Sequence, residues 1–90
     1  MAVSISLEGK RILVTGSARG LGCAFAEAAT EAGARVIIAD ILEDEGRATA
    51  QRLGTEFVAV DLADPESVSS CMESVVGHLG GLDGLVNNGA

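Results

Sequence analysis

The chain has 90 residues, enough for one small domain; 48% of them are hydrophobic, and only Phe25 and Phe57 are aromatic, so its core must be aliphatic. Thirteen acidic against six basic residues give a formal charge of -7, which argues against a nucleic-acid partner or an anionic membrane surface, since both need a basic face. No apolar stretch approaches the length of a membrane span, and the opening MAVSISLEGKRILV lacks the charged head and apolar block of a secretory signal. Cys23 and Cys71 show neither CxxC nor metal-ligand spacing, so they read as free thiols of a reducing cytoplasm, and no metal site is expected.

RILVTG (11–16) has the continuous apolar character of a strand covered on both faces. Leu21, Phe25, Ala28 and Ala32 then recur at helical spacing and predict one apolar stripe, with Gly33 where the helix would end. RVIIAD (35–40) reads as a second strand. The segment 42–53 is expected to be helical, with Glu43, Asp44, Glu45 and Arg47 on a solvated face, because parallel neighbours need a crossover of about this length. EFVAVDL (56–62) reads as a third strand. Val68, Cys71, Met72, Val75 and Leu79 form a second helical stripe, opened by Asp64 as a cap, Pro65 in the first turn and Glu66 at the positive end of the dipole, and closed by Gly80 and Gly81. LDGLVNN (82–88) is a weaker fourth strand. The alternation β-α-β-α-β-α-β, with right-handed crossovers, predicts an α/β fold: part of a Rossmann-type doubly wound parallel sheet in strand order 3-2-1-4, spanning residues 1–90 as one unit.

LVTGSARGLG (13–22) sets Gly16, Gly20 and Gly22 between the first strand and the first helix. Backbone N–H groups at such a turn, with the positive end of the helix dipole, suit a phosphate or pyrophosphate. Gly16 would make the tight turn, Gly20 would let a ligand approach, and Gly22 would let the helix pack closely on the sheet. Ser17 could bond a phosphate. Asp40 ends the second strand 18 residues beyond Gly22, where a carboxylate can accept both hydroxyls of an adenosine ribose. The ordinary alternative is a solvated acid or a helix cap before ILEDEG. Beside Asp40, a ribose 2′-phosphate would meet a repulsion of roughly 4 kcal/mol at about 4 Å and an effective dielectric near 20. Even halved by solvent, that favours NAD over NADP by more than about tenfold. Arg19 could reach such a phosphate, but a solvated arginine at the helix start is the preferred reading. Cys23 is expected to pack against the sheet, His78 to lie in the last turn of the third helix, and Asp83 to be an exposed residue before the fourth strand.

LEGKRILVTGSARGLG (7–22), with a TGxxxGxG loop from Thr15 to Gly22, resembles the opening of the short-chain dehydrogenase/reductase family. ADI (39–41) is similar to that family's NAD-selecting strand end, VDLADPESV (60–68) to its adenine-contacting segment, and LDGLVNNGA (82–90) to the segment around its NNAG motif. The resemblance runs over essentially the whole chain. It implies that NAD is held by Gly16, Ser17, Arg19, Gly20, Leu21, Gly22, Asp40 and Ile41, with Asp61 at the adenine amino group and Leu62 beside the ring. Asn88, Gly89 and Ala90 would lie near a cofactor ribose. The order Gly89-Ala90 exchanges the family's Ala and Gly, which sets a methyl group where the family has none. The family's catalytic Tyr-x-x-x-Lys, serine and asparagine belong further along; this chain has no tyrosine, and its one lysine is Lys10. No catalytic residue is therefore expected here. The resemblance implies the N-terminal cofactor-binding portion of an NAD-dependent alcohol or ketone oxidoreductase, a homo-oligomer when complete. The alternative is a non-catalytic dinucleotide-binding module, or an inactive remnant that needs a second chain.

Overall fold

The computed structural model describes residues 6–88. Strands β1 (Arg11–Thr15), β2 (Arg35–Asp40), β3 (Glu56–Ala59) and β4 (Gly84–Asn87) alternate with helices α1 (Gly20–Glu31), α2 (Glu43–Leu53) and α3 (Pro65–Leu79). All strand pairings are parallel and the order is β3-β2-β1-β4, as the alternation predicted. The register sets Leu13 beside Ile37 and Leu85, and Val14 beside Ile38 and Val86. Because successive side chains point to opposite faces, this register sorts the core into two layers. Leu13, Ile37 and Ala39 pack on one face with Val60 and with Cys71, Val75 and Leu79 of α3. Val14, Val36 and Ile38 pack on the other with Ala26 and Ala29 of α1 and Ala50 of α2.

Helix α3 forms as its sequence signals dictate. The Asp64 carboxylate accepts from the Glu66 N–H at 3.0 Å, Pro65 opens the helix, and Gly80 closes it at φ +76°. Helix α2 ends at Gly54 in the left-handed region. Helix α1 departs from expectation. Leu21 is 72% and Phe25 53% exposed, and the buried face is Gly22, Ala26 and Ala29. The helix leaves the glycine loop close against the sheet, where only the smallest side chains fit between backbone and backbone. The larger apolar residues are turned outward.

Cys23 also departs from expectation: it is half-buried, and its Sγ accepts from Arg52 Nη2 at 3.2 Å instead of packing on the sheet. Cys71 is buried in the layer on the α3 side, and that burial raises its thiol pKa. Asp83 is more than a plain exposed residue. Its Oδ2 accepts from the Arg11 backbone N–H and from Nε, both at 2.9 Å, and its Oδ1 accepts from Nη2 at 3.1 Å. These bonds, led by those from the Arg11 side chain, hold the Asp83 carboxyl down to about 2. Strand β3 is shorter than its apolar run. It stops at Ala59, and the chain turns after the Val60 N–H has met the Asp40 carbonyl at 3.1 Å.

Candidate nucleotide site

Gly16 and Gly20 adopt φ +64° and +65°, the left-handed region that only glycine enters cheaply, and between them the chain turns from β1 into α1. Gly22 packs against the back of this turn. A Cβ there would overlap the Gly16 carbonyl oxygen and come within 2.7 Å of Asn88 Nδ2. Gly20 has nothing within 4 Å of where a Cβ would be. Arg19 is the extended cap residue of α1; no side chain caps that end, and no acidic residue stands in the first turn. The amides of the first turn are therefore left for something else.

Side chains hold the loop from several directions. Ser17 is fully buried; its hydroxyl donates to the Val14 carbonyl at 2.6 Å and accepts from the Ala39 N–H at 3.0 Å. The hydroxyl ties the end of β1 to β2. Asp40 Oδ2 accepts from the Ala18 N–H at 3.0 Å, and its Oδ1 from the Leu42 N–H at 3.1 Å. Asn88 Nδ2 donates to the Gly16 carbonyl at 3.1 Å, and its own N–H donates to Thr15 Oγ1 at 3.2 Å. Arg19 leans on Glu45 at 3.7 Å, with both side chains exposed. Asp61 Oδ1 accepts from the Ala63 N–H at 3.0 Å, and the Asp61 N–H donates to Ser67 Oγ at 2.9 Å.

These pieces surround one open cleft of ≈ 570 Å³ at the carboxyl ends of the strands. The loop after β1 contributes Gly16, Arg19, Gly20 and Leu21. The segment after β2 contributes Asp40, Ile41 and Leu42; Val60, Asp61, Leu62 and Ala63 follow β3, and Asn88 follows β4. Of the predicted residues, Ser17 and Gly22 stand behind the wall, and Gly89 and Ala90 lie outside the described residues. Leu42, Val60 and Ala63 were missed. Their signal was positional, since each sits beside a predicted site residue on the same segment. Ile41 and Leu62 line the cleft while 62% and 41% exposed. Among the described residues no cluster of His, Cys, Asp and Glu could hold a metal ion, and no helix is long and apolar enough to cross a membrane.

The sheet runs outward from β1 in both directions, through β2 to β3 on one side and to β4 on the other. The cleft lies across that reversal, bounded by Gly16 and Asn88. Ligands of open α/β sheets bind at this switch point, so fold and site define a doubly wound, nucleotide-type domain. The profile of the short chain dehydrogenase family matches residues 10–90, and the chain belongs to that family. Its four-stranded parallel sheet, in the order β3-β2-β1-β4, is part of a doubly wound fold of the Rossmann type. It is 48% identical over 86 residues to a sorbitol dehydrogenase of Cereibacter sphaeroides, a match covering 93% of this chain and 34% of that one. A hydroxysteroid dehydrogenase structure from Escherichia coli superposes with a TM-score of 0.85 at 31% identity, covering 94% of this chain and 38% of the other. A Brucella melitensis 16M structure described as ribose-5-phosphate isomerase gives a TM-score of 0.91 at 31% identity, covering 98% and 34%. The chain thus spans about a third of the length of such relatives. Their differing names illustrate that a fold does not fix a reaction.

Proposed function

We propose that the cleft holds NAD and that the chain is the cofactor-binding portion of an NAD-dependent oxidoreductase acting on a small alcohol or ketone. The observation that carries this reading is the meeting, in one cleft, of an uncapped helix start and the Asp40 carboxylate. The residues fit the group. The cleft lies within the ~300–1,000 Å³ range of small-molecule sites, and the Gly20 position is bare where a phosphate would approach.

In this reading Gly16, Arg19, Gly20 and Leu21 offer the pyrophosphate their backbone at the positive end of α1, with Gly22 giving the loop its depth from behind. Asp40 accepts the ribose hydroxyls on lone pairs that its two backbone donors leave free. Ile41 and Leu62 cover the adenine faces, which explains why two large apolar side chains stand open to solvent at the cleft. Asp61 lies at the adenine edge. Asn88, Gly89 and Ala90 lie toward the second sugar. The nicotinamide ring supplies the hydride chemistry when bound. With no tyrosine in the chain and Lys10 before β1, proton transfer is assigned to groups outside these 90 residues. The free thiols fit a reducing, cytoplasmic setting.

NAD is preferred over NADP because the Asp40 carboxylate would face the 2′-phosphate, while Arg19, the nearby cation, leans on Glu45. Titration with NADH and NADPH, followed by nicotinamide fluorescence, tests both claims. NADH is expected to bind at least about tenfold more tightly. Absence of binding by either would overturn the site, and tighter NADPH binding would overturn the cofactor choice.

A further inference from the structure

Helix α2 carries one buried hydroxyl that the nucleotide reading leaves unused. Thr49 is 7% exposed, and its Oγ1 donates to the Ala18 carbonyl at 2.6 Å, across 31 residues of sequence. The N–H of the same Ala18 donates to Asp40 Oδ2 at 3.0 Å. Ala18 is therefore gripped at both of its polar groups, by the cleft carboxylate on one side and by a hydroxyl from behind on the other. It is itself buried, so water cannot readily take the place of either partner. A trans peptide sets the Ala18 carbonyl and the Arg19 N–H in opposite directions. Holding that carbonyl inward on Thr49 turns the Arg19 amide away from the interior, at the position that caps α1 and lines the cleft.

We infer that Thr49, acting through the Ala18 carbonyl, is a positioning residue for the pyrophosphate-binding amides. The inference rests on reading the cleft as a dinucleotide site. Valine nearly matches threonine in shape, so T49V removes the donor and little else, whereas T49S keeps it. NADH, ADP and adenosine are titrated into the wild-type protein and both variants, and thermal unfolding is recorded alongside.

T49V is expected to weaken NADH and ADP about tenfold, the factor of one buried hydrogen bond, and adenosine by less than about twofold. T49S is expected to stay within about twofold of wild type for all three ligands. T49A removes the same donor with less bulk and must reproduce the ligand pattern, which keeps the test valid if T49V fails to fold. Unchanged ADP affinity in the donor-less variants overturns the inference. So does equal loss of ADP and adenosine in step with lowered thermal stability, or failure of T49S to retain affinity. If the wild-type protein binds none of the three ligands, the nucleotide reading itself falls. Wild-type binding with an indifferent T49V removes only the role of Thr49.

Discussion

At Gly22 the loop has no room for a methyl group, because a Cβ would overlap the Gly16 carbonyl oxygen and crowd Asn88 Nδ2. The carbonyl is backbone and cannot swing aside, whereas the Asn88 nitrogen that donates to it at 3.1 Å ends an exposed side chain. Gly20 is the opposite case: open space around it, but a φ of +65° that a side chain resists. G22A is expected to cost about 1–3 kcal/mol by overpacking and to displace the Gly16 carbonyl, weakening NADH as it destabilises. G20A is expected to cost about 1–2 kcal/mol from backbone conformation alone, leaving Asn88 and Gly16 in register. Urea unfolding beside NADH titration checks the pair. Wild-type stability in G22A would mean that the loop yields where the packing says it cannot. Three glycines could be read from the sequence as a loop, with Gly16 making the turn and Gly22 the close packing. The burial of Ser17 could not: a serine in a turn ordinarily faces solvent or ligand, and only the closeness of β1 to β2 turns it inward.

Between elements, the feature most open to a direct test is the clamp that starts β1 and β4 together. Asp83 takes three donors from Arg11, and its own N–H returns a bond to the Arg11 carbonyl at 2.8 Å. The carboxyl is held at about 2 in the fold against an ordinary 3.8. A depressed carboxylate means that the unfolded chain binds the extra proton first. Its contribution is complete above about pH 3.8 and is lost as pH falls toward 2. The wild-type protein is therefore expected to lose more of its urea midpoint than D83N does between about pH 5 and pH 3. Parallel loss in both would show the clamp to be idle. The pair is partly exposed, so its effect is modest and weakens further with salt. Sequence reading found every element but misjudged one face. The stripe Leu21, Phe25, Ala28, Ala32 is the more hydrophobic, yet α1 buries Gly22, Ala26 and Ala29, which recur at the same spacing. Where a glycine loop brings helix and sheet close, smallness outranks hydrophobicity, and periodicity weighs only the latter. In α3, with no such loop, the stripe of Cys71, Val75 and Leu79 was legible and is buried.

Across the whole molecule, the sheet divides two aliphatic layers that share no packing partners, with α1 and α2 on one side and α3 on the other. Alternation within β1 and β2 made this division readable from the sequence, because Leu13 and Val14, or Ile37 and Ile38, must point apart. The cleft was less legible. Its walls come from four segments far apart in the chain, and contacts such as Thr49 to Ala18 depend on how α2 lies over the glycine loop, which no local pattern encodes. The two-layer core has a thermodynamic consequence. Ile38 is fully buried on the α1 side and Leu79 nearly so on the α3 side. I38V is expected to cost about 0.5–1.5 kcal/mol and L79A about 2–5 kcal/mol. Sites without common partners add within about 0.5 kcal/mol, so urea unfolding of the double variant should return the sum of the single losses. A coupling well beyond that margin would mean that a void on one face is relieved by movement through the sheet. In that case the strand ends that carry Gly16, Asp40 and Asn88 would be a compliant floor to the cleft, and its geometry would answer to packing on the face away from α1.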